Sequence, residues 1–231
     1  MFSILYILLF LFSILFCSTA NLVNVFSFFL SVPNIVRPCE LTDYKCIGDN
    51  LAVNSRCNQK VRGSLPSAYT VPSFRFETPF FNASYIDKNL IIRNQDKCFV
   101  SEFFFNIKTD TAILGLDCPQ LNFESDRSVI QHRSLAEDTS YAYHIRGQYP
   151  LIRLTVSLPN VNNLNLCSAF VFADVTALPT FHIDPKDKKT ANYLAKDLTM
   201  LNTYERETFF YRGPSLARNF INNYICDFGC P

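Results

Sequence analysis

Apolar and polar positions alternate with a period of two along much of the chain. In "CFVSEFFFNIKT" (98–109), Phe99, Ser101, Phe103, Phe105 and Ile107 share one face, and Val100, Glu102, Phe104, Asn106 and Lys108 share the other. That is the spacing of a β-strand with one greasy side. Thr109 and Asp110 predict a turn, and 112–123 the returning strand. "SYAYHIRGQ" (140–148) continues the alternation. In "LIRLTVSL" (151–158), Ile152, Leu154, Val156 and Leu158 alternate with Leu151, Arg153, Thr155 and Ser157. "LCSAFVFADV" (166–175) is apolar on both faces and predicts a covered strand.

The period changes towards both ends. Thr42 or Asp43 can cap a short helix carrying Ile47, Leu51 and Val53. The stretch 63–79, with Pro66, Pro72 and Pro79, reads as an extended connector. Leu194, Leu198 and Leu201 stand at helical spacing within 191–203. Pro214 predicts the start of a further helix with Leu216, Phe220, Ile221 and Tyr224 on one side. The order is a short helix, many strands, then helices, an α+β chain. Strands with a single apolar face must close on a second sheet, a helix or a bound apolar ligand.

The first residues, "MFSILYILLFLFSILFCSTA" (1–20), read as a secretory signal, with an apolar centre followed by the small residues Ser18 and Ala20. No Lys or Arg precedes the apolar run, and apolar character resumes at Leu22 and lasts to Val36, so an uncleaved anchor is the competing reading. The expectation is a signal over 1–20, a single domain over 21–231, and a secreted, extracellular protein with no membrane contact once the signal is removed.

Composition narrows the chemistry. Of the 231 residues 48% are hydrophobic and 18% charged, enough for a large core. The 23 Phe and the absence of Trp suit a greasy interior. A net charge of +1 gives no basis for a nucleic-acid partner. Lys186, Lys188 and Lys189 read as a solvated loop. Of nine cysteines, Cys17 falls in the signal, which leaves an even set for disulfides in an exported chain. There is no CxxC pair and only three histidines, His132, His144 and His182, so neither a metal site nor a cofactor is expected. Gly-x-Ser-x-Gly, His-Glu-x-x-His and phosphate-binding Gly loops are absent, and no enzyme activity is expected. "NAS" (82–84) makes Asn82 a glycosylation acceptor in an exported chain.

Several segments resemble the insect juvenile hormone-binding and takeout-like carriers. "VPNIVRPCELTDYKC" (32–46), through Pro33, Arg37, Cys39, Asp43 and Cys46, is similar to the opening of that family. "VRGSLPSAY" (61–69) resembles its Arg-Gly-x-Pro stretch with one residue more. "DKNLIIRNQDKCFVSEFFFNIKTDTAILGL" (87–116) resembles its strand pair, and "YERETFFYRGPSLARNF" (204–220) the approach to its last helix. The resemblance implies a highly curved antiparallel sheet wrapped around a C-terminal helix, with a short N-terminal helix, in the tubular lipid-binding superfamily. It implies a carrier that holds a small apolar ligand, a terpenoid, a lipid or juvenile hormone itself, in an internal tunnel. This chain departs from the family where the hormone binders place a late-strand Tyr on the ligand's polar end, since Thr155 falls near that position.

On that reading the lining residues are Phe99, Phe103, Phe105, Ile107, Ile152, Leu154 and Val156, with Tyr141 and Tyr143 as polar contacts. The spacing of Cys39 and Cys46, six residues apart, allows a small clasp at the start of the domain. The six remaining cysteines allow 15 connectivities and sequence does not choose among them; the resemblance implies Cys167 with Cys226, Cys98 and Cys118 fall on strands that can be neighbours, and Cys57 with Cys230 would be left. The competing reading is a secreted surface-acting protein, such as a venom, seminal or defence factor, on a diverged carrier scaffold without a cavity.

Overall fold

The computed structural model describes residues 38–195 and 198–230, with the backbone alone described for 80 and 198–207. The expected signal and the apolar run to Val36 lie outside those residues. Helix α1 spans Tyr44–Val53. Seven strands follow: β1 Ala68–Thr78, β2 Ala83–Arg93, β3 Phe99–Asn106, β4 Thr111–Gln131, β5 Thr139–Pro159, β6 Phe170–Val175 and β7 Thr180–Pro185. Helices α2, Lys188–Ala195, and α3, Leu198–Tyr224, close the order. All strand pairs are antiparallel and belong to one sheet. The fold is the α+β arrangement implied above, a curved antiparallel sheet with a long C-terminal helix and a short N-terminal one.

The sheet is organised by its two 21-residue strands, β4 and β5, which pair along their whole length. Each changes its outer partner midway. β4 pairs with β3 through its first half and with β2 through its second. β5 pairs with β7 first and with β6 later. One half is therefore four strands wide (β3-β4-β5-β6) and the other five (β1-β2-β4-β5-β7). At the change the ladder steps from Pro119↔Leu151 to Leu121↔Tyr149, passing over Gln120 and Pro150. Proline cannot donate to a ladder, and Pro150 falls where the pairing is interrupted, with Pro119 at the last pair before it. Gln120 takes a positive φ of 51° there. The buried phase also shifts by one residue. In β5 the odd positions Tyr141, Tyr143, Ile145 and Tyr149 are buried before it, and the even positions Ile152 to Leu158 after it.

Three expectations change. The stretch 63–79 is not a bare connector, because 68–78 form β1, whose edge position tolerates Pro72. β6 is an edge strand with Phe170 and Phe172 exposed, so it is not covered on both faces. Pro214 does not begin a helix. It lies inside the 27-residue α3, where it removes one intrahelical donor.

Local chemistry accounts for the ends. The Asp43 carboxylate accepts the Cys46 N–H at 2.9 Å and caps α1. The buried Ile47 and Leu51 turn α1 towards the main core, which they share with Phe220, Ile221 and Ile225. Tyr44 meets the Phe220 and Tyr224 rings edge to face at 6.0 and 6.1 Å. Gly48 lies so close to the Ile225 carbonyl oxygen that a Cβ there would overlap it. Burial is also used to join α3 to the sheet through a polar link: Gln95 accepts from Tyr69 Oη and from Asn219 Nδ2, and its own Nε2 donates to the Leu216 carbonyl at 2.8 Å. Burial pushes the Tyr69 phenol up to about 12, with the Asn219 side chain opposing.

Four disulfides hold the described residues: Cys39–Cys46, Cys57–Cys226, Cys98–Cys118 and Cys167–Cys230. The pair Cys167–Cys226 that the resemblance implied, and the remaining pair Cys57–Cys230, exchange partners. Antiparallel bonding between Asn58 and Asp227, 2.7 and 2.8 Å, places Cys57 beside Cys226, while the tail beyond carries Cys230 to Cys167.

Candidate functional site

The concave face of the sheet, beneath α3, is where the lining residues of a carrier were expected. Ile152, Leu154 and Val156 are fully buried there and belong to one cluster with Phe209, Leu216, Ala217 and Phe220 of α3. The helix approaches the strands directly: a Cβ on Gly213 would stand 3.0 Å from Ala173 Cβ and 3.6 Å from Leu154 Cδ2 and Val171 Cγ1. At that level helix and sheet are in contact with no layer between them.

The other expected positions divide. Phe103 and Phe105 are half-buried against the same cluster and meet edge to face at 5.4 Å. Phe99 is 46% exposed and Ile107 70% exposed. A register shift between Val100 and Glu102 moves Phe99 out of phase with Phe103, and Ile107 lies past the end of β3. The five-residue face read from the alternation is therefore not continuous. Tyr143 is buried, and Tyr141 stacks on Tyr193 of α2 at 3.8 Å, under Lys189 Nζ at 5.2 Å. The two tyrosines share a face, next to α2.

Sequence reasoning missed the centre of the five-stranded half. Asp87 on β2, Arg127 on β4 and Arg212 on α3 meet inside the protein. Arg127 Nε and Nη2 donate to Asp87 Oδ1 and Oδ2 at 2.7 and 3.1 Å, and Arg212 Nη2 to Oδ2 at 2.5 Å. Ser125 Oγ adds a bond to Oδ1 at 3.0 Å. Aromatic rings surround the ions. Arg127 lies over Phe76 and Tyr85 at 5.9 and 5.5 Å, and Arg212 over Phe123 at 5.2 Å. Burial acts to raise the Asp87 pKa, but the Arg127 and Arg212 guanidiniums outweigh it and hold the carboxyl far below its usual range. A signal for this was present: Leu121, Phe123, Ser125, Arg127 and Val129 share one phase, which puts a charge among apolar neighbours.

A second polar group carries the geometry of a hydrolytic relay. Ser84 Oγ lies 2.6 Å from His132 Nε2, and His132 Nδ1 lies 2.7 Å from Asp138 Oδ2. Yet Ser84 is fully buried and its hydroxyl also donates to Glu77. That bond depresses the Glu77 pKa and commits the proton a nucleophile would pass to histidine. The expected acceptor Asn82 is exposed nearby, with its Nδ2 on the His132 carbonyl at 2.9 Å. Among the described residues no His, Cys, Asp and Glu side chains group as metal ligands.

The convex face differs between the halves. Over the five-stranded half it carries an ionic lattice: Arg93–Glu124 at 2.8 Å, Arg146–Glu124 at 3.3 Å, His144–Asp126 at 3.4 Å and Lys186–Asp126 at 3.5 Å. Over the four-stranded half the cross-strand rows read Phe104, Ile113, Ser157, Phe170 and Glu102, Gly115, Thr155, Phe172. Phe104, Phe170 and Phe172 are 42%, 58% and 50% exposed. Ile113, Ser157, Gly115 and Thr155 lie between Phe104 and Glu102 on one side and Phe170 and Phe172 on the other, and the adjoining row carries the Arg153–Asp117 ion pair at 2.8 Å.

A curved antiparallel sheet closed on a long C-terminal helix, with a short disulfide-clasped helix before it, is the takeout-like architecture. The solved takeout 1 of Epiphyas postvittana superposes with a TM-score of 0.50 over 81% of this chain and 93% of its own, at 11% sequence identity. The likeness to the takeout-like carriers thus holds for the fold. The chain itself belongs to the fibroin P25 family, whose pattern matches residues 35–230. Fibrohexamerin of Galleria mellonella is 67% identical over 197 residues, covering 85% of this chain and 90% of that protein. The family is therefore fibroin P25, not the hormone-binding and takeout family that the sequence segments suggested.

Proposed function

We propose that this chain is an exported accessory protein of silk that associates with fibroin through the convex face of its four-stranded half, without enzymatic activity. The observation that carries the reading is the exposure of Phe104, Phe170 and Phe172 on two neighbouring cross-strand rows, with the half-buried Ile113 beside Phe104. Exposed aromatics gathered on one face mark contact surfaces. The occupant is an apolar segment of fibroin, the protein for which the family is named. Export agrees with four disulfides, which persist in oxidising compartments. No helix among the described residues is long and apolar enough to cross a membrane.

The test is sedimentation of the disulfide-intact protein with purified fibroin. Phe104→Ser with Phe172→Ser is expected to weaken co-sedimentation about tenfold or more. Unchanged binding by a folded double variant would refute the surface.

A second reading, the small-ligand carrier, is favoured by the takeout-like fold. The direct contact of Gly213 with Leu154, Val171 and Ala173 argues against a continuous tunnel at that level. A naphthylamine dye separates the two. Saturable fluorescence that fatty acids or terpenoids displace supports the carrier, and its absence supports the surface-acting protein.

A further inference from the structure

A polar cleft of about 520 Å³ opens at the disulfide-bonded end of the protein. One wall is the polar side of the last turns of α3, with Ser215, Arg218, Asn219, Asn222 and Asn223. The other is the loop carrying Lys60 and Arg62, with Asp227 and Cys230 of the tail. Its walls are tied together. Cys57–Cys226 and Cys167–Cys230 close it covalently, and the Gly63 N–H donates to the Asn223 carbonyl at 2.8 Å. The paired backbone bonds between Asn58 and Asp227 close the remaining side. A site held in this way loses little freedom when it is filled.

The charges in the cleft are unbalanced. Three cations line it, and among the described residues none of them has an ion-pair partner. Asp227 is the one acid in the lining, and its carboxylate already accepts the Gly229 N–H at 2.8 Å. Arg218 uses Nη2 on the Cys167 carbonyl at 2.9 Å, while its Nε is shielded from solvent and makes no hydrogen bond. Among the described residues Nη1 makes no hydrogen bond, and it is the end of the guanidinium left for a ligand in the cleft. The asparagines are largely turned on the protein itself. Asn223 Nδ2 donates to Asn219, Asn219 Nδ2 to Gln95, and Asn222 Oδ1 accepts the Phe228 N–H. They fix the shape of the site and leave Arg218 Nη1, Lys60 and Arg62 to meet a ligand.

We propose that this cleft is a binding site for an oxyanion group, phosphate or carboxylate, with Arg218 donating through Nη1 and Lys60 and Arg62 completing the charge. Arginine's planar donors match such groups, and a cavity of this size accepts more than a lone ion. The oxyanion has two possible sources, a free small molecule or an acidic segment of a partner chain. The site lies among residues distinct from the aromatic rows assigned to fibroin and stands independently of that assignment.

The test is calorimetric titration of the full, disulfide-intact protein at low salt with inorganic phosphate and, separately, with a hexaglutamate peptide, using glucose as the neutral control. Saturable binding is expected for at least one anionic probe, weakening with added salt. It is expected to fall about tenfold or more in Arg218→Gln and in the Lys60→Gln, Arg62→Gln double variant. The double variant alters exposed side chains and keeps the test valid if Arg218→Gln fails to fold. Binding of phosphate assigns the site to a free anion; binding of hexaglutamate alone assigns it to an acidic segment. No saturable binding of either probe, or variants that bind as the parent does, would overturn the proposal. Fibroin co-sedimentation by the double variant is expected to be unchanged, which separates failure of this site from failure of the aromatic surface.

Discussion

Arg212 of α3 donates to the Asp87 carboxylate of β2 across 2.5 Å, inside the protein, where Arg127 of β4 already holds the same carboxylate in a fork. One acid thus joins the long helix to two neighbouring strands. Removing one partner of a buried ion group leaves uncompensated charge, whereas replacing the group with apolar residues of similar volume often does not destabilise. Asp87→Ala is therefore expected to lower stability by about 3–5 kcal/mol, read as a shift of the urea midpoint. The triple variant Asp87→Leu, Arg127→Met, Arg212→Leu is expected near the parent. A near-neutral Asp87→Ala would mean that the helix is held by packing alone.

Acid is expected to destabilise the protein through the same carboxylate. Arginines depress the folded pKa of Asp87 against the effect of burial, and the Arg153 hydrogen bond depresses that of Asp117. A depressed folded pKa gives stability that is fully present above the unfolded value of about 3.9 and is lost as pH falls through the folded pKa. Stability should be level from neutrality to about pH 5 and decline below it. Asp87→Asn should flatten that decline, which urea midpoints measured across pH will read.

The disulfides are expected to contribute unequally. Cys57–Cys226 spans a sequence separation of 169, and Cys39–Cys46 one of 7. Chain entropy assigns about 5 kcal/mol to the long closure and about 2.5 kcal/mol to the short one. Paired Cys→Ser variants, unfolded by denaturant without reductant, test the order. If the short clasp proves the more costly loss, its role lies in positioning α1 and not in restraining the unfolded chain.

Gly48→Ala introduces a Cβ onto the Ile225 carbonyl oxygen. Alanine favours helix intrinsically, so a stabilised variant would show that α1 can move away from the C-terminal turn. The expected result is a loss of about 1–3 kcal/mol, read by thermal unfolding.

Much of the fold can be read from local pattern. Asp43 stands where a cap belongs, and it caps α1. The alternation in 98–106 and 151–158 is that of strands, and strands form there. Alternation misleads where a strand is interrupted. A period of two has no memory of a bulge, so it groups Phe99 with Phe103, whereas the shift after Val100 separates them. The run 166–175 looked covered because apolar content does not tell a covered strand from an edge strand with exposed phenylalanines. The disulfide partners of Cys167 and Cys226 depend on which backbone lies beside Asn58, a contact made across most of the chain.

Sequence by itself determined the strand type of 98–106 and 151–158, the cap and type of α1 and the capacity for four bridges, because these depend on near neighbours and on composition; it did not determine β1 or the extent of α3. Tertiary structure alone decided that Arg127, Asp87 and Arg212 meet, that α3 lies directly on Leu154 and Ala173, and that three cations face one cleft. Those outcomes need residues distant in the chain to arrive at the same place, and the free energy of such a meeting is set by burial and charge in the folded state, not by any local spacing.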